Sequence, residues 1–290
     1  MSMFRFPHGR AGAAIPAAIR AFPRLCAAEL RREFRRACAY WLELLADQIL
    51  FTLGFLLLSG LFDLVAGGGY DGPARLAALL GFVTWRVADG CILRIVDMMD
   101  EEARAGVLEQ LWLAAAPPGL LLLARSGVIL LYNGARGLLL LLVLAPLAGV
   151  ALPPGAGPLL PILAAALPVF LLAQVGAFGL TFLLAGLHLV TKNVSAIAFA
   201  LSTALLFLSG ALASLAHAPR LELLGRLLPL SAAITLLREL FAGAFPPALL
   251  WRQPGFGELL LNAAAYLSLG ALALHFGQRR ARRDGSLAHY

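Results

Sequence analysis

The chain has 290 residues, of which 61% are apolar and 13% charged, and its mean hydropathy is +0.85. A soluble domain carries roughly 25% charged residues, so an ordinary globular fold is excluded, and the apolar runs are continuous rather than alternating, which excludes a transmembrane barrel. The net charge of +7 is concentrated at the two ends of the chain, without interleaved aromatics, so the expected partner is anionic membrane lipid and not nucleic acid.

The elements follow in chain order. Residues 1–46 contain eight arginines and no compact apolar core ending in a cleavage site, so no cleavable signal peptide is expected and the first span serves as an uncleaved targeting signal. Within this region 27–45, AAELRREFRRACAYWLELL, places Leu30, Phe34, Ala37, Cys38 and Trp41 on one helical face. Arg31, Arg32, Arg35 and Arg36 flank and oppose that face, the pattern of an amphipathic helix in the headgroup layer. Six spans follow, at about 47–66, 76–96, within 125–151, 159–190, 195–215 and 257–277. Pro161 and Pro168 are expected to kink the fourth. The chain thus divides into a cytoplasmic N-terminus (1–46), a six-helix transmembrane domain (47–277) and a basic cytoplasmic tail (278–290). The expected fold class is an all-α integral membrane protein.

Two connections are more than loops. Residues 101–118, EEARAGVLEQLWLAAAPP, place Leu108, Leu111 and Trp112 on an apolar stripe, with Glu101, Glu102, Arg104, Glu109 and Gln110 largely off it. Gly106 weakens the helix and Pro117 and Pro118 stop it, so a short surface helix is expected between spans two and three. Residues 216–256 are apolar at helical spacing but broken by Gly225 and Pro229, which fits an external helical hairpin.

Orientation follows from basic residues. With an even span count both termini share a side, and that side holds 15 Lys and Arg against five on the other. Both termini are therefore expected in the cytoplasm of an inner-membrane protein.

Charge inside the spans is costly and marks structure or function. Arg86, Asp89, Arg94 and Asp97 lie within one face of the second span, where Arg86 with Asp89, and Arg94 with Asp97, can pair at i,i+3. They read either as self-neutralising packing pairs or as a wall of a substrate path. In the third span Asn133 and Arg136 could reach Asp89 or Asp63. On the fifth, Ala196, Ala200 and Ala204 recur at four-residue steps, a possible close-packing face.

No phosphate-binding loop, HExxH or GxSxG motif occurs. Cys26, Cys38 and Cys91 are scattered, and the five histidines are dispersed. No catalytic, cofactor-binding or metal-binding residues are expected on this chain, and no enzyme activity of its own.

The segment EEARAGVLEQLWLAAAPP resembles the one that follows the second span in the type-2 ABC exporter permease family. There an acidic residue and a glycine precede a T/V-L-E-Q-L core, then a small residue and proline. Glu102, Gly106, Val107, Leu108, Glu109, Gln110, Leu111 and Pro117 carry the match. A second similarity runs from Pro219 through Pro229 to Arg238 and Gly243, a proline-bounded external hairpin. The departures are Val107, where the family often has threonine, and Leu230-Ser231, where it more often has leucine and threonine.

This resemblance implies a permease chain that pairs with a second copy of itself or a paralogue. Two separate ATP-binding subunits would hold ATP and Mg. The helix at 101–116, from Glu101, Glu102 and Arg104 through Trp112 to Pro117, would be the coupling helix seated on the ATPase. Few aromatic platforms accompany the apolar path, so a drug-like or lipid-like amphiphile is favoured over a polysaccharide or glycolipid. A non-transporting membrane scaffold and a lipid-modifying membrane enzyme stay open as alternatives.

Overall fold

A computed structural model describes residues 11–65, 72–106, 118–150, 156–191, 193–212 and 219–283. Among them there is no strand. The helices are α1 (Ala11–Ala39), α2 (Trp41–Val65), α3 (Gly72–Arg104), α4 (Pro118–Leu147), α5 (Ala156–Thr191), α6 (Ser195–Leu208), α7 (Pro219–Arg226), α8 (Ser231–Phe241) and α9 (Pro254–Arg283), with a 3-10 turn at Pro247–Arg252 before α9.

Five helices, α2, α3, α4, α5 and α9, are long and apolar enough to cross a membrane. At 1.5 Å per residue the 33 residues of α3 extend about 50 Å, well beyond a hydrocarbon core of about 30 Å. Its last turns therefore project past the core, beside α1.

The fifth predicted span is shorter than 195–215. Helix α6 has 14 residues, about 21 Å, and the chain leaves it through Gly210 at φ +75°. The turn is held from α8. Arg238 donates to the carbonyls of Gly210 (2.5 Å) and Ala211 (3.2 Å) in the turn after α6 and of Ala77 (3.1 Å) in α3, which ties that turn to α3 and α8. The predicted external hairpin is present from Pro219 as α7 and α8, with Pro229 in the turn between them. Helix α8 buries Ala233, Ile234, Leu236, Leu237 and Leu240 in the core. Asn262 and Tyr266 of α9 donate to the carbonyls of Arg226 and Leu227 at 3.0 and 2.8 Å, fixing that turn.

The tightest helix pair is α5 with α9. A Cβ at Gly179 would overlap the backbone of Tyr266, and one at Gly277 would overlap the backbone of Gly186. Glycines at 179, 186, 270 and 277 let the two backbones touch, the small-residue packing that substitutes for a hydrophobic driving force in lipid. The core beside them holds a tilted aromatic set, Phe55 with Phe82 at 5.2 Å and Phe82 with Trp85 at 5.5 Å between ring centroids. Helix α2 lies at the periphery. Phe55 and Ser59 are its buried residues, while Leu50, Leu57 and Leu64 are 66–81% exposed and face the lipid.

The amphipathic segment breaks at Tyr40 and not after residue 45, so Trp41–Leu45 belongs to α2. Leu30, Phe34 and Trp41 are exposed as an apolar face, and Cys38 with them. The fourth span runs helically through both Pro161 and Pro168.

Candidate functional site

The polar side chains of α3 are organised at three levels, eight residues apart, or about 12 Å along the helix. At the innermost level Arg86 donates to Asp89 (3.1 Å) and to Asp47 of α2 (2.7 Å). Arg136 of α4 binds the same Asp47 oxygen. Asp89 also accepts from Ser202 of α6 at 2.5 Å, and the Ser202 carbonyl accepts from Trp85 Nε1 at 2.8 Å. One carboxylate thus bridges two arginines, and one arginine bridges two carboxylates. The Arg86 guanidinium also stands 3.8 Å above the Phe51 ring, a cation–π contact.

At the middle level Arg94 donates to Glu33 of α1 at 3.0 Å and lies 3.5 Å from Glu101. Burial pushes the Glu33 carboxyl above the usual glutamate range, and nearby Arg36 and Arg32 oppose that shift. At the outer level Glu102 and Arg125 form a bidentate pair (2.7 and 2.9 Å), and Arg125 Nε donates to Glu29 of α1 at 3.0 Å. Arg32 adds contacts to Glu102 at 3.3 Å and to Glu29 at 3.7 Å. The charged face of α1 is therefore its inward face, matched by arginines on α3 and α4, while its apolar face is turned out to lipid.

Several expected partners change. Arg94 does not pair with Asp97. Glu33 and Glu101 take the guanidinium, and Asp97 stays exposed. Arg136 reaches neither Asp89 nor Asp63, because Asp47 is on the facing helix and Asp63 is held by Arg75 at 2.7 Å. Asn133 donates to its own helix at the Ile129 carbonyl (3.1 Å) and contacts Cys91 Sγ at 4.0 Å. On α6 the buried face is Ala198, Ser202 and Leu205, whereas Ala196 and Ala200 are exposed and Ala204 is half-buried. The alanine face is thus not the buried face of α6.

The segment 101–116 also divides differently. Glu101, Glu102 and Arg104 are the last turn of α3 and not the start of a separate helix. Gly106, at φ +66°, ends that turn. Val107, Leu108, Glu109, Gln110, Leu111, Trp112 and Pro117 lie outside the described residues.

Glu29, Glu33, Asp47 and Arg125 were the participants that sequence reasoning passed over. Glu29 and Glu33 sit one turn apart among the arginines of the amphipathic helix, which is the visible signal for an inward charged face. Arg125 looked like a loop residue, but α4 starts at Pro118 and buries it.

Between α1, α2, α3 and α4 these groups line a cavity of about 640 Å³. Glu33, Arg36, Glu43, Asp47, Arg86, Asp89, Arg94, Asp97 and Arg136 supply its charges, and Leu44, Leu50, Phe51 and Leu93 its apolar wall. Its contents can offer ion pairs and hydrogen bonds to an amphiphile. A second, apolar groove of about 830 Å³ runs between α3, α4 and α5, walled by leucines and Phe170. Among the described residues no group of three or more His, Cys, Asp and Glu could hold a metal ion.

A family model described as ABC-2 type transporter matches residues 24–242, from the inward-charged part of α1 to the end of α8. The chain belongs to the ABC-2 type transporter family. It is a multi-pass membrane protein and a permease subunit of an ABC transporter, a type of chain that works with ATP-binding subunits. No curated protein matches the permease. The matched stretch contains all three charged levels and the described part of the hairpin.

Proposed function

We propose that this permease is the membrane subunit of an ATP-driven exporter of amphiphiles. Two permease chains, identical or paralogous, flank the pathway, and two ATP-binding subunits holding ATP and Mg dock on the face that carries α1. Both termini lie on that cytoplasmic face of the inner membrane.

The observation that carries the reading is the anchoring of the last turn of α3. Glu102 is locked to Arg125 of α4 and, through Arg32 and Glu29, to α1. The segment that resembles a coupling helix, 101–118, links the last turn of α3 to the start of α4. A push on it is therefore delivered to two braced helices at once, and α3 carries it about 27 Å inward to Arg86 and Asp47. The apolar groove and the mixed-charge cavity support an amphiphilic cargo more than a sugar polymer, which needs stacking platforms.

The test is co-purification of tagged permease from native membranes in mild detergent, comparing wild type with Glu109→Arg. An ATP-binding subunit should accompany wild type and be lost or uncoupled in the variant. If no ATPase accompanies wild type in several detergents, the exporter reading fails.

A further inference from the structure

The cavity between α1, α2, α3 and α4 has an unusual charge balance. Its lining holds four arginines and five carboxylates, so opposite charges nearly cancel and no net anion or net cation is favoured. Most of these groups pair with each other, but three have no ion pair within 4 Å among the described residues: Arg36, Asp97 and the exposed Glu43 of α2. Arg36 of α1 and Asp97 of α3 line the same cavity and feel each other's charge, yet no ion pair within 4 Å joins them among the described residues. Asp97 is exposed and Arg36 half-buried. A held-open pair of opposite charges is satisfied by a ligand that carries both charges itself.

The cavity's exposed rim is mixed, with Glu43 and Asp97 beside Tyr40, Ala46 and Leu50. Leu44 and Leu50 stand at its α2 wall, and Leu50, Leu53 and Leu57 continue along α2 as an outward stripe, 53–74% exposed. A headgroup seated in the cavity leaves its acyl chains on that stripe, in the leaflet that holds α1. The volume of about 640 Å³ falls in the range of about 300–1,000 Å³ that small-molecule sites occupy.

We propose that this cavity is a seat for the headgroup of a zwitterionic phospholipid, its ammonium at Asp97 and its phosphate at Arg36. The site does not depend on the direction of transport. The assay below contains no ATPase, so its failure would leave the exporter reading standing, and failure of that reading would leave this site standing.

The purified full-length chain in mild detergent is given equal amounts of dioleoyl phosphatidylethanolamine and dioleoyl phosphatidylglycerol, and retained lipid is read by native mass spectrometry. Wild type should retain the zwitterionic lipid over the anionic one by about tenfold. Asp97→Asn and Arg36→Gln should each erase that preference while the melting temperature stays near wild type, because neither residue is ion-paired. Ala46→Trp, which narrows the cavity from an exposed lining position, should reduce phosphatidylethanolamine retention without touching a charge. Equal or greater retention of phosphatidylglycerol by wild type would overturn the proposal. So would an unchanged preference in both charge variants, or displacement of the lipid by acyl-free glycerophosphoethanolamine at the same concentration, since that would mark a site for a soluble zwitterion.

Discussion

Replacing Arg125 by methionine tests whether ion pairs or apolar contacts hold α1 to the bundle. The Arg125 side chain is 7% exposed, and its partners Glu102 and Glu29 are 8% and 12% exposed. The substitution removes a bidentate pair and a third hydrogen bond. It leaves both carboxylates to Arg32, which is 40% exposed and stands at 3.3 and 3.7 Å. Removing one partner of a buried pair costs about 3–5 kcal/mol. Arg32 and partial solvation of Glu29 compensate in part, so about 3 kcal/mol is expected. Glu102→Gln should cost about 1–3 kcal/mol, because Arg125 keeps Glu29. The double variant buries neither charge of the pair, so it should be more stable than the sum of the two losses by about 2 kcal/mol. The assay is reversible unfolding of the purified chain in mixed micelles, followed by circular dichroism. Additivity within about 0.5 kcal/mol, or a loss below about 1 kcal/mol for Arg125→Met, would refute the reasoning.

Three further outcomes follow from the same structure. Gly179→Ala should force α5 and α9 apart, because the new Cβ meets the Tyr266 backbone. A loss of about 1–3 kcal/mol is expected, seen as a lower melting temperature in size-exclusion thermostability measurements, whereas Gly127→Ala, with nothing within 4 Å of its Cβ, should be close to neutral. Arg238→Met should free the carbonyls of Gly210, Ala211 and Ala77 and destabilise by about 1–3 kcal/mol. Faster hydrogen exchange around 205–212 would report it, and unchanged exchange would mean that the turn after α6 does not depend on Arg238. Glu33 has a pKa raised by burial in the folded chain. The folded state therefore binds its proton more tightly than the unfolded state does. This contribution to stability is full below the ordinary glutamate range and declines as pH rises through the raised value. Subtracting the stability–pH curve of Glu33→Gln from that of wild type should isolate a falling component in mildly acidic solution, and a rising component would show that pairing with Arg94 outweighs burial.

The sequence by itself determined the class of the protein and its motif. Apolar runs long enough to cross a bilayer, the proline-bounded segments and the E-x-x-x-G-V-L-E-Q-L pattern are local properties, legible because a helix in lipid satisfies its own backbone. The Arg86–Asp89 pair was legible because i,i+3 neighbours can meet on a helix, although the equally spaced Arg94 and Asp97 do not pair. Tertiary structure decided everything that joins distant positions. The sequence offered Arg94 only Asp97 as a partner, and the docking of α1 supplies Glu33 instead. Arg136 had carboxylates on several helices within conceivable reach, and the placement of α2 gave it Asp47. The turn that follows α6 is held from α8, by an arginine that reaches its carbonyls across the fold. The α5–α9 seam was hidden because glycine at 179, 186, 270 and 277 is also what a turn or a linker contains. Its meaning depends on which backbone comes close. A charged group in a membrane bundle must find its counter-charge somewhere, and sequence states that requirement, but only the packing of the helices says where it is met.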